Sequence, residues 1–380
     1  MPVIFPTIGP WYSTVEAAEI MKLSPGHVSR QCKLGKLECK QVGDNYWLPE
    51  RVVKRRHYKE FNPDELAHLH RLAQQIAVER RGYKSKLNIL GILALDTGDA
   101  ASMVYASTLQ KACEFIGFNL GLVRSAPDKV EARILQANKD PAIHGIFVFY
   151  PIFKDAKDQQ IKEMIDHAKD IEGLSGYWSK KLYLDERFVD EAKTKKAILP
   201  CTSLGILKTL AYVDLLDERA GKTFAGKKIA IFNRSDVVGR PLAYMLKNDG
   251  ATVYSFDIDG GVMMHKNGKE QPITREEALR QADVVVTGVP SRAFEKIRGE
   301  EIKENATCLN FSFVQNFEES AKEKAGIYIP RVGPMTIAMC LKNVVRLYEN
   351  NKSSYDQASK LEWQRYGEVV KLGKVEKLVA

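Results

Sequence analysis

At 380 residues the chain is long enough for two or three domains, each with a core of its own. Its composition, 44% hydrophobic and 28% charged, is that of a globular protein. No apolar run approaches the ~20 residues that cross a bilayer, and the N-terminal MPVIFPTIGPWYS has the layout of neither a signal nor a transit peptide, so no membrane partner and a cytoplasmic address are expected. A formal charge of +9 suits polyanionic ligands, from dinucleotides to nucleic acid, without choosing among them.

The six cysteines, Cys32, Cys39, Cys113, Cys201, Cys308 and Cys340, are scattered, with no C-x-x-C pair and no histidine cluster at ligand spacing. No metal site is expected; reduced, mostly buried thiols are. His144, just before an apolar run, reads as a structural or surface residue.

Residues 1–62 form a unit of their own. Val15 to Met21 reads as a short helix with Thr14 as N-cap. Leu23 to Gly26 reads as a tight turn and His27 to Leu34 as a second helix. Two strands follow, near Glu38–Val42 and Tyr46–Leu48, joined by Gly43-Asp44-Asn45. Pro49 is expected to open a basic helix, PERVVKRRHYKE. The pattern resembles the excisionase/MerR-like winged helix-turn-helix. That resemblance implies a DNA partner, with His27, Ser29, Arg30, Gln31 and Lys33 entering a major groove and Arg51, Lys54, Arg55 and Arg56 on phosphates. A packing or interaction domain fused to an enzyme is the competing reading.

After a linker at Phe61-Asn62-Pro63, an amphipathic helix is expected over 64–81, then a strand from Leu87 to Leu95 and a helix carrying Tyr105. Strands and helices alternate to about residue 200, giving an α/β substrate domain at 63–204. Gly226 to Asp257 then reads strand, turn, helix, strand. Ile229 to Phe232 is a buried parallel strand. A helix begins near Val238-Gly239, with Leu242, Met245 and Leu246 on one face and Gly250 as its stop. The second strand ends on Asp257. This is the outline of a dinucleotide-binding βαβ unit, with a helix N-terminus for the pyrophosphate and a carboxylate for the ribose hydroxyls. Of the glycine fingerprint only Gly239 remains, so the outline alone does not separate a dinucleotide site from an ordinary βαβ unit.

The wording NRSDVVGRPLA at 233–243 closely resembles the G-R-S-x-x-V-G-R-P cofactor segment of the methylenetetrahydrofolate dehydrogenase/cyclohydrolase family, with Asn233 replacing the first glycine. Six further segments resemble the family's motifs in order: YASTLQKACEFIGF at 105–118, GIFVFYPIF at 145–153, KDIEGL at 169–174, LPCTSLGI at 199–206, ADVVVTGVPS at 282–291 and RVGPMTIAM at 331–339. The resemblance spans roughly residues 63 to 350. It implies two α/β domains, a folate-binding catalytic domain at 63–204 and an NAD-binding Rossmann domain at 205–338, beside the small N-terminal winged helix-turn-helix. It also implies that a C-terminal helix at 337–350 packs back on the catalytic domain, and that the chain is a homodimer. Residues 351–380 match nothing and read as a C-terminal extension, a surface helix or tail.

Carried over position by position, the resemblance puts Tyr105, Phe149, Tyr150, Pro151, Glu172, Gly333, Pro334 and Thr336 on a polyglutamylated folate, with Tyr105 and Glu172 closest to the chemistry. It puts Cys201, Thr202, Asn233, Arg234, Ser235, Val238, Gly239, Arg240, Asp257, Gly288, Val289 and Pro290 on the cofactor. Three positions depart from the bifunctional members. Leu109 stands where they have a catalytic lysine, Phe149 where a glutamine supports it, and Glu172 where an aspartate anchors the pterin. Hydride loss from the methylene bridge is driven by the flanking nitrogens and needs chiefly positioning. Cyclohydrolysis needs proton transfers that Leu109 and Phe149 cannot supply. The chain thus resembles the monofunctional, NAD-dependent dehydrogenase branch. Asp257 favours NAD by repelling a 2′-phosphate, while Arg234 either neutralises such a phosphate or pairs with Asp257 or Asp236. A transcription regulator whose folate domain only senses ligand is the alternative for the whole chain.

Overall fold

The computed structural model describes residues 3–4, 10–21, 24–33, 39–42, 44–49, 53, 61–94, 100–153, 155–214, 223–265, 269–355 and 361–370. The N-terminal unit is a four-stranded antiparallel sheet in the order β1 (Val3–Ile4), β2 (Pro10–Ser13), β4 (Asn45–Pro49), β3 (Lys40–Val42). Helices α1 (Thr14–Ile20) and α2 (Pro25–Lys33) pack with it around Ala17, Ala18, Met21, Val28, Cys32, Leu48 and Val53.

Three local expectations change here. The N-cap of α1 is Ser13, not Thr14: Ser13 Oγ accepts from the Glu16 N–H at 3.3 Å while the Glu16 carboxylate accepts from the Ser13 N–H at 2.9 Å. Pro25 and Gly26 open α2 rather than a turn, because a proline at the first helical positions has no N–H to leave unpaired. Pro49 ends β4, so the expected basic helix does not open on it, although Val53 within that segment is helical. Arg51, Lys54, Arg55 and Arg56 lie outside the described residues.

Two α/β layers follow. The first sheet runs β15 (Glu368–Val369), β6, β5, β7, with β5 (Asn88–Ala94) parallel to β6 (Asn119–Ser125) and β7 (Gly145–Val148). The strands β5 and β7 are almost wholly buried, as a parallel sheet covered on both faces requires. Helices α3 (Asp64–Arg80) and α4 (Ala100–Ile116) pack on one another on the first face, together with α12 (Gly333–Asn350), which arrives from the far end of the chain. Helices α5 (Val130–Lys139) and α6 (Ala156–Met164) supply Val130, Ile134 and Ile161 to the core on the second.

The C-terminal residues correct the expectation of a surface helix or tail. Strand β15 (Glu368–Val369) pairs antiparallel with β6, and Tyr366 is 1% exposed with its hydroxyl on the Asp140 carboxylate. Trp363 covers Gly121, where an added Cβ would fall 2.0 Å from the indole.

The second sheet has seven strands in the order β11-β10-β9-β8-β12-β13-β14. Five are parallel: β8 (Lys228–Phe232), β9 (Thr252–Asp257), β12 (Val284–Thr287), β13 (Thr307–Asn310) and β14 (Ile327–Ile329). The pair β10 (Gly260–Met264) and β11 (Glu270–Ile273) adds an antiparallel edge, and helices α10 (Arg275–Gln281) and α11 (Glu319–Lys324) add Leu279 and Ala321 to the core. From β8 the chain goes first to β9 on one side and later to β12 on the other. The ends of β8 and β12 therefore flank the point where strand order reverses, the place at which open α/β sheets form a ligand crevice. Helices α7 (Gly176–Tyr183), α8 (Cys201–Val213) and α9 (Gly239–Asn248) join the two layers, α8 packing along α12. Among the described residues no helix is long and apolar enough to cross a membrane.

Candidate active site

The turn after β8 is shaped by Asn233. Its Oδ1 accepts from the Ser235 N–H at 3.0 Å and the Ser235 hydroxyl at 2.6 Å, and its amide donates to Gly288 O at 2.9 Å. The side chain that replaces the expected glycine thus folds the turn and ties it to the loop after β12. At Gly239 an added Cβ would lie 1.7 Å from the Asn233 carbonyl oxygen, so only glycine lets α9 start this close to the turn. Arg240 pairs with Asp236 at 2.9 Å on the surface.

At the end of β9, Arg234 reaches over from the turn after β8 and is committed to β9 and the start of β10. It pairs with Asp257, and donates to Ser255 O at 2.5 Å, Ser255 Oγ at 3.3 Å and Gly260 O at 3.2 Å. Of the two readings of Arg234, pairing with Asp257 is the one observed. Across the crevice Val289 is held by the fully buried Asn316, which accepts from its N–H at 2.9 Å and donates to its C=O at 3.0 Å. Gly288 and Val289 are therefore fixed beside Asn233, while Pro290 is exposed.

The second half of the cleft is aromatic. The Tyr105 ring, on α4, stacks on Phe147 at 5.8 Å and meets Phe149 edge-on at 6.2 Å. Phe149 is only 4% exposed and Leu109, one turn along from Tyr105, is fully buried. Burial, and then Cys201, Cys340 and Glu172, push the Tyr105 phenol well above its usual range. Tyr150 follows Phe149 in a loop held by Asp158, whose carboxylate accepts from the Ile152 and Phe153 N–H groups at 3.1 and 2.9 Å. The Tyr150 hydroxyl is buried without a hydrogen-bond partner among the described residues. Pro151 is exposed.

Glu172 sits in a loop that Asp170 builds by accepting from the Gly173 and Ser175 N–H groups at 2.9 and 2.8 Å. Burial raises the Glu172 carboxyl well above the ordinary range, with Cys201 and Asp170 adding to it; Lys162 and the Val148 N–H oppose. Lys162, on α6, also lies 5.0 Å over the Tyr150 ring.

The first turn of α8 bridges the two halves. The Cys201 N–H donates to Glu172 O at 3.0 Å on the aromatic side, and Ser203 Oγ donates to Val238 O at 2.9 Å on the cofactor side. Thr202 lies between them. The buried Cys201 thiol lies against that of Cys340 on α12 and close enough to Tyr105 and Glu172 to act on both. Helix α12 is locked to this turn at Gly205, where an added Cβ would meet Thr336 N at 3.2 Å. Thr336 itself is buried with its hydroxyl on Val332 O at 3.5 Å, while Gly333 and Pro334 remain partly open.

Two family profiles cover most of this architecture. One, described as tetrahydrofolate dehydrogenase/cyclohydrolase, catalytic domain, matches residues 65–172, and the other, its NAD(P)-binding domain, matches residues 200–352. The chain belongs to the tetrahydrofolate dehydrogenase/cyclohydrolase family. It is 39% identical to a Saccharomyces cerevisiae protein named methylenetetrahydrofolate dehydrogenase [NAD(+)], over 71% of this chain and 88% of that one. It is 38% identical to one of the same name from Dictyostelium discoideum, over 68% of this chain and 86% of that one. Bifunctional protein FolD of Staphylococcus haemolyticus is more distant, at 30% over 72% of this chain and 90% of its own. The solved NAD-dependent 5,10-methylenetetrahydrofolate dehydrogenase of Saccharomyces cerevisiae superposes with a TM-score of 0.71 at 36% identity, covering 78% of this chain and 98% of its own.

Within the family's framework, the side chains that sequence reasoning missed are the supports. Lys162, Asp158 and Asn316 sit outside the matched wording at isolated positions, and no local signal marks them. Asn343 of α12, which donates to Ile171 O and Leu199 O at 3.0 Å each, reaches the loops on either side of Glu172 and Cys201 from far along the chain. In the N-terminal unit Arg30 and Lys33 are exposed and Ser29 half-buried, but Gln31 is 5% exposed. The expectation that Gln31 faces a partner is corrected: one turn from Val28, it belongs to the buried side of α2.

Proposed function

We propose that this chain oxidises 5,10-methylenetetrahydrofolate to 5,10-methenyltetrahydrofolate with NAD as hydride acceptor, and that it has no cyclohydrolase activity. The carrying observation is the pair Leu109 and Phe149, both buried in an otherwise family-like cleft. Neither can hold or move a proton, so the water addition that hydrolyses a methenyl cation has no general acid or base at these positions. Oxidation asks only that the bridge carbon be held and water kept out. Tyr105, on its Phe147 and Phe149 platform, offers a face for the pterin, and Glu172 offers a carboxylate for its N–H groups. The orphaned Tyr150 hydroxyl offers a further polar contact.

The residues present fit NAD: a glycine-tight turn at Gly239, a helix start behind it, and a ribose carboxylate at Asp257. When bound there, NAD supplies the hydride acceptor. Asp257 and the backbone around Asn233, Ser235, Gly239 and Gly288 hold it, and the first turn of α8, with Thr202, separates it from the folate cleft. Arg234, spent on Asp257, Ser255 and Gly260, has little left for a 2′-phosphate, which supports NAD over NADP. An assay of the purified chain with each cofactor tests this. Methenyl product should accumulate with NAD and decay no faster than in buffer; faster turnover with NADP, or enzyme-dependent decay, defeats the reading. Asp257→Ser should lower the NAD preference tenfold or more, since a carboxylate facing a phosphate dianion is worth a few kcal/mol, to order of magnitude.

Residues 1–62 carry a second reading, a DNA-binding winged helix-turn-helix. It is supported by exposed Arg30 and Lys33 on α2 and by the exposed β3 edge, Lys40 to Val42, of the hairpin that would serve as wing. A homodimer of the enzyme would present two copies to paired half-sites. In a mobility-shift titration, full-length protein should retain particular genomic fragments and lose them steeply with added salt. If no fragment outcompetes random DNA, the unit is a packing or interaction domain.

A further inference from the structure

A cavity of about 350 Å3 opens between α7, α8, α9, α12 and the connection 185–198. It lies at the small end of the size range of ligand sites, roughly 300–1,000 Å3. None of the residues assigned above to the folate or cofactor clefts lines it.

The wall carries six basic side chains, Lys181, Arg187, Lys196, Lys208, Lys342 and Arg346, against three carboxylates. Those carboxylates are already engaged. Asp185 and Asp249 flank Arg187 at 3.0 and 3.1 Å, and Glu186 takes Lys181 at 3.0 Å. None of the three pairs with Arg346 or Lys196.

Arg346 is the telling member. It is half-buried on α12, and its one hydrogen bond among the described residues goes to Ala197 O at 3.2 Å. The neighbouring Glu349 is drawn off by Arg81 at 2.8 Å. A guanidinium has five donors in a fixed fork, and withdrawing it from water with one carbonyl for company is costly unless an anion completes the set. Lys196, exposed at the rim, has no ion pair among the described residues. The remaining wall is apolar, with Leu204 and Leu207 of α8 and Met245 of α9.

We propose that this cavity is a second ligand site, for a phosphate monoester with an apolar or aromatic body. The phosphoryl dianion would sit on the Arg346 fork and Lys196, geometry that suits guanidinium better than any neutral donor. The body would lie on Leu204, Leu207 and Met245. Both α8 and α12 begin at the catalytic cleft and run past this cavity, so its occupant touches the two helices that frame the site.

The test is calorimetric titration of the full-length protein with 1-naphthyl phosphate, inorganic phosphate and 1-naphthol, which needs no turnover. Naphthyl phosphate should bind saturably at one site, at least tenfold tighter than either fragment. Lys196→Glu, a change at an exposed position, should weaken it tenfold or more, and Arg346→Gln at least as much, while both variants bind NAD like the wild type. No saturable binding of naphthyl phosphate, or binding unchanged in folded Lys196→Glu, overturns the site. Inorganic phosphate binding as tightly as the ester overturns the organic body.

Discussion

In the cofactor half of the cleft, the residues that shape the surface do so mostly by setting the course of the main chain. Asn233 folds a turn, Gly239 admits a helix against it, and Asn316 pins Val289. In the folate half, the surface is made by side chains that converge from four separate pieces: Tyr105 on α4, Tyr150 after β7, Glu172 in its Asp170-built loop, and the start of α12. The two halves also differ in assembly. The seven-stranded sheet uses only residues 228–329, whereas the four-stranded sheet takes its edge strand from residues 368–369 and a covering helix from 333–350. A half built on backbone geometry tolerates few changes at its tight points but dictates no particular reaction. A half built on side chains can change its chemistry, as we propose for the positions of Leu109 and Phe149, without losing its fold.

The sharpest way to break this contrast is at Gly239. The Cβ of Gly239→Ala would fall 1.7 Å from Asn233 O, a backbone atom that cannot swing away. The start of α9 must shift, at a cost of about 1–3 kcal/mol for overpacking. NAD affinity should fall a hundredfold or more, measured by quenching of intrinsic fluorescence, while folate affinity changes little. Equal loss on both sides would mean that the halves are not separable.

A smaller effect is expected in the folate half, at Glu172. Burial raises its carboxyl above the ordinary value, so in the window from about 4.5 up to that raised pKa the unfolded chain ionises first. Stability therefore falls as pH rises through that window, and the loss persists above it. Glu172→Gln should remove that pH dependence and leave the protein more stable at neutral pH. Activity should move the other way. A hydrogen bond to a charged group is worth about 1.5–3 kcal/mol, so kcat/KM should drop roughly ten- to a hundredfold. The acid limb of the wild-type profile, placed above that of a free carboxyl, should vanish in the variant. A variant as active as wild type would show that Glu172 is only packing.

The same contrast explains what could be read from sequence. Strand β8, helix α9 with Leu242, Met245 and Leu246 inward, the Gly250 stop and the β9 carboxylate all follow from local periodicity and lie within thirty residues of one another, and the structure reproduces them. Tyr105 and Glu172 were legible only through the family's wording, because nothing in their neighbourhoods announces a shared cleft. Lys162, Asn343 and Asn316 were not legible at all: each matters through a partner distant in sequence or through a loop's final shape. Ser13 and Thr14 both cap well, and only Glu16, three residues after Ser13, decides between them. The C-terminal extension was the largest miss. Two residues pairing with a sheet edge leave no periodic signal, and Trp363 means nothing until Gly121 is seen beneath it.

That extension sets the mildest of the tests. If the folate half depends on late-arriving chain, weakening the Trp363 contact should lower its stability without touching the cofactor half. Trp363→Ala removes a half-buried indole from the Gly121 surface, worth about 1–2 kcal/mol at this exposure, or roughly 1–3 °C in melting temperature for a protein of this size. Gly121→Ala should cost at least as much alone, because its Cβ would lie 2.0 Å from the indole. Combined, the two changes should cost less than the sum of the singles, since the alanine methyl then occupies space the indole has left. NAD affinity should be unchanged in all three variants. Strict additivity in the double-mutant cycle would mean that Trp363 and Gly121 do not meet, and that the sheet of the folate half ends at β6.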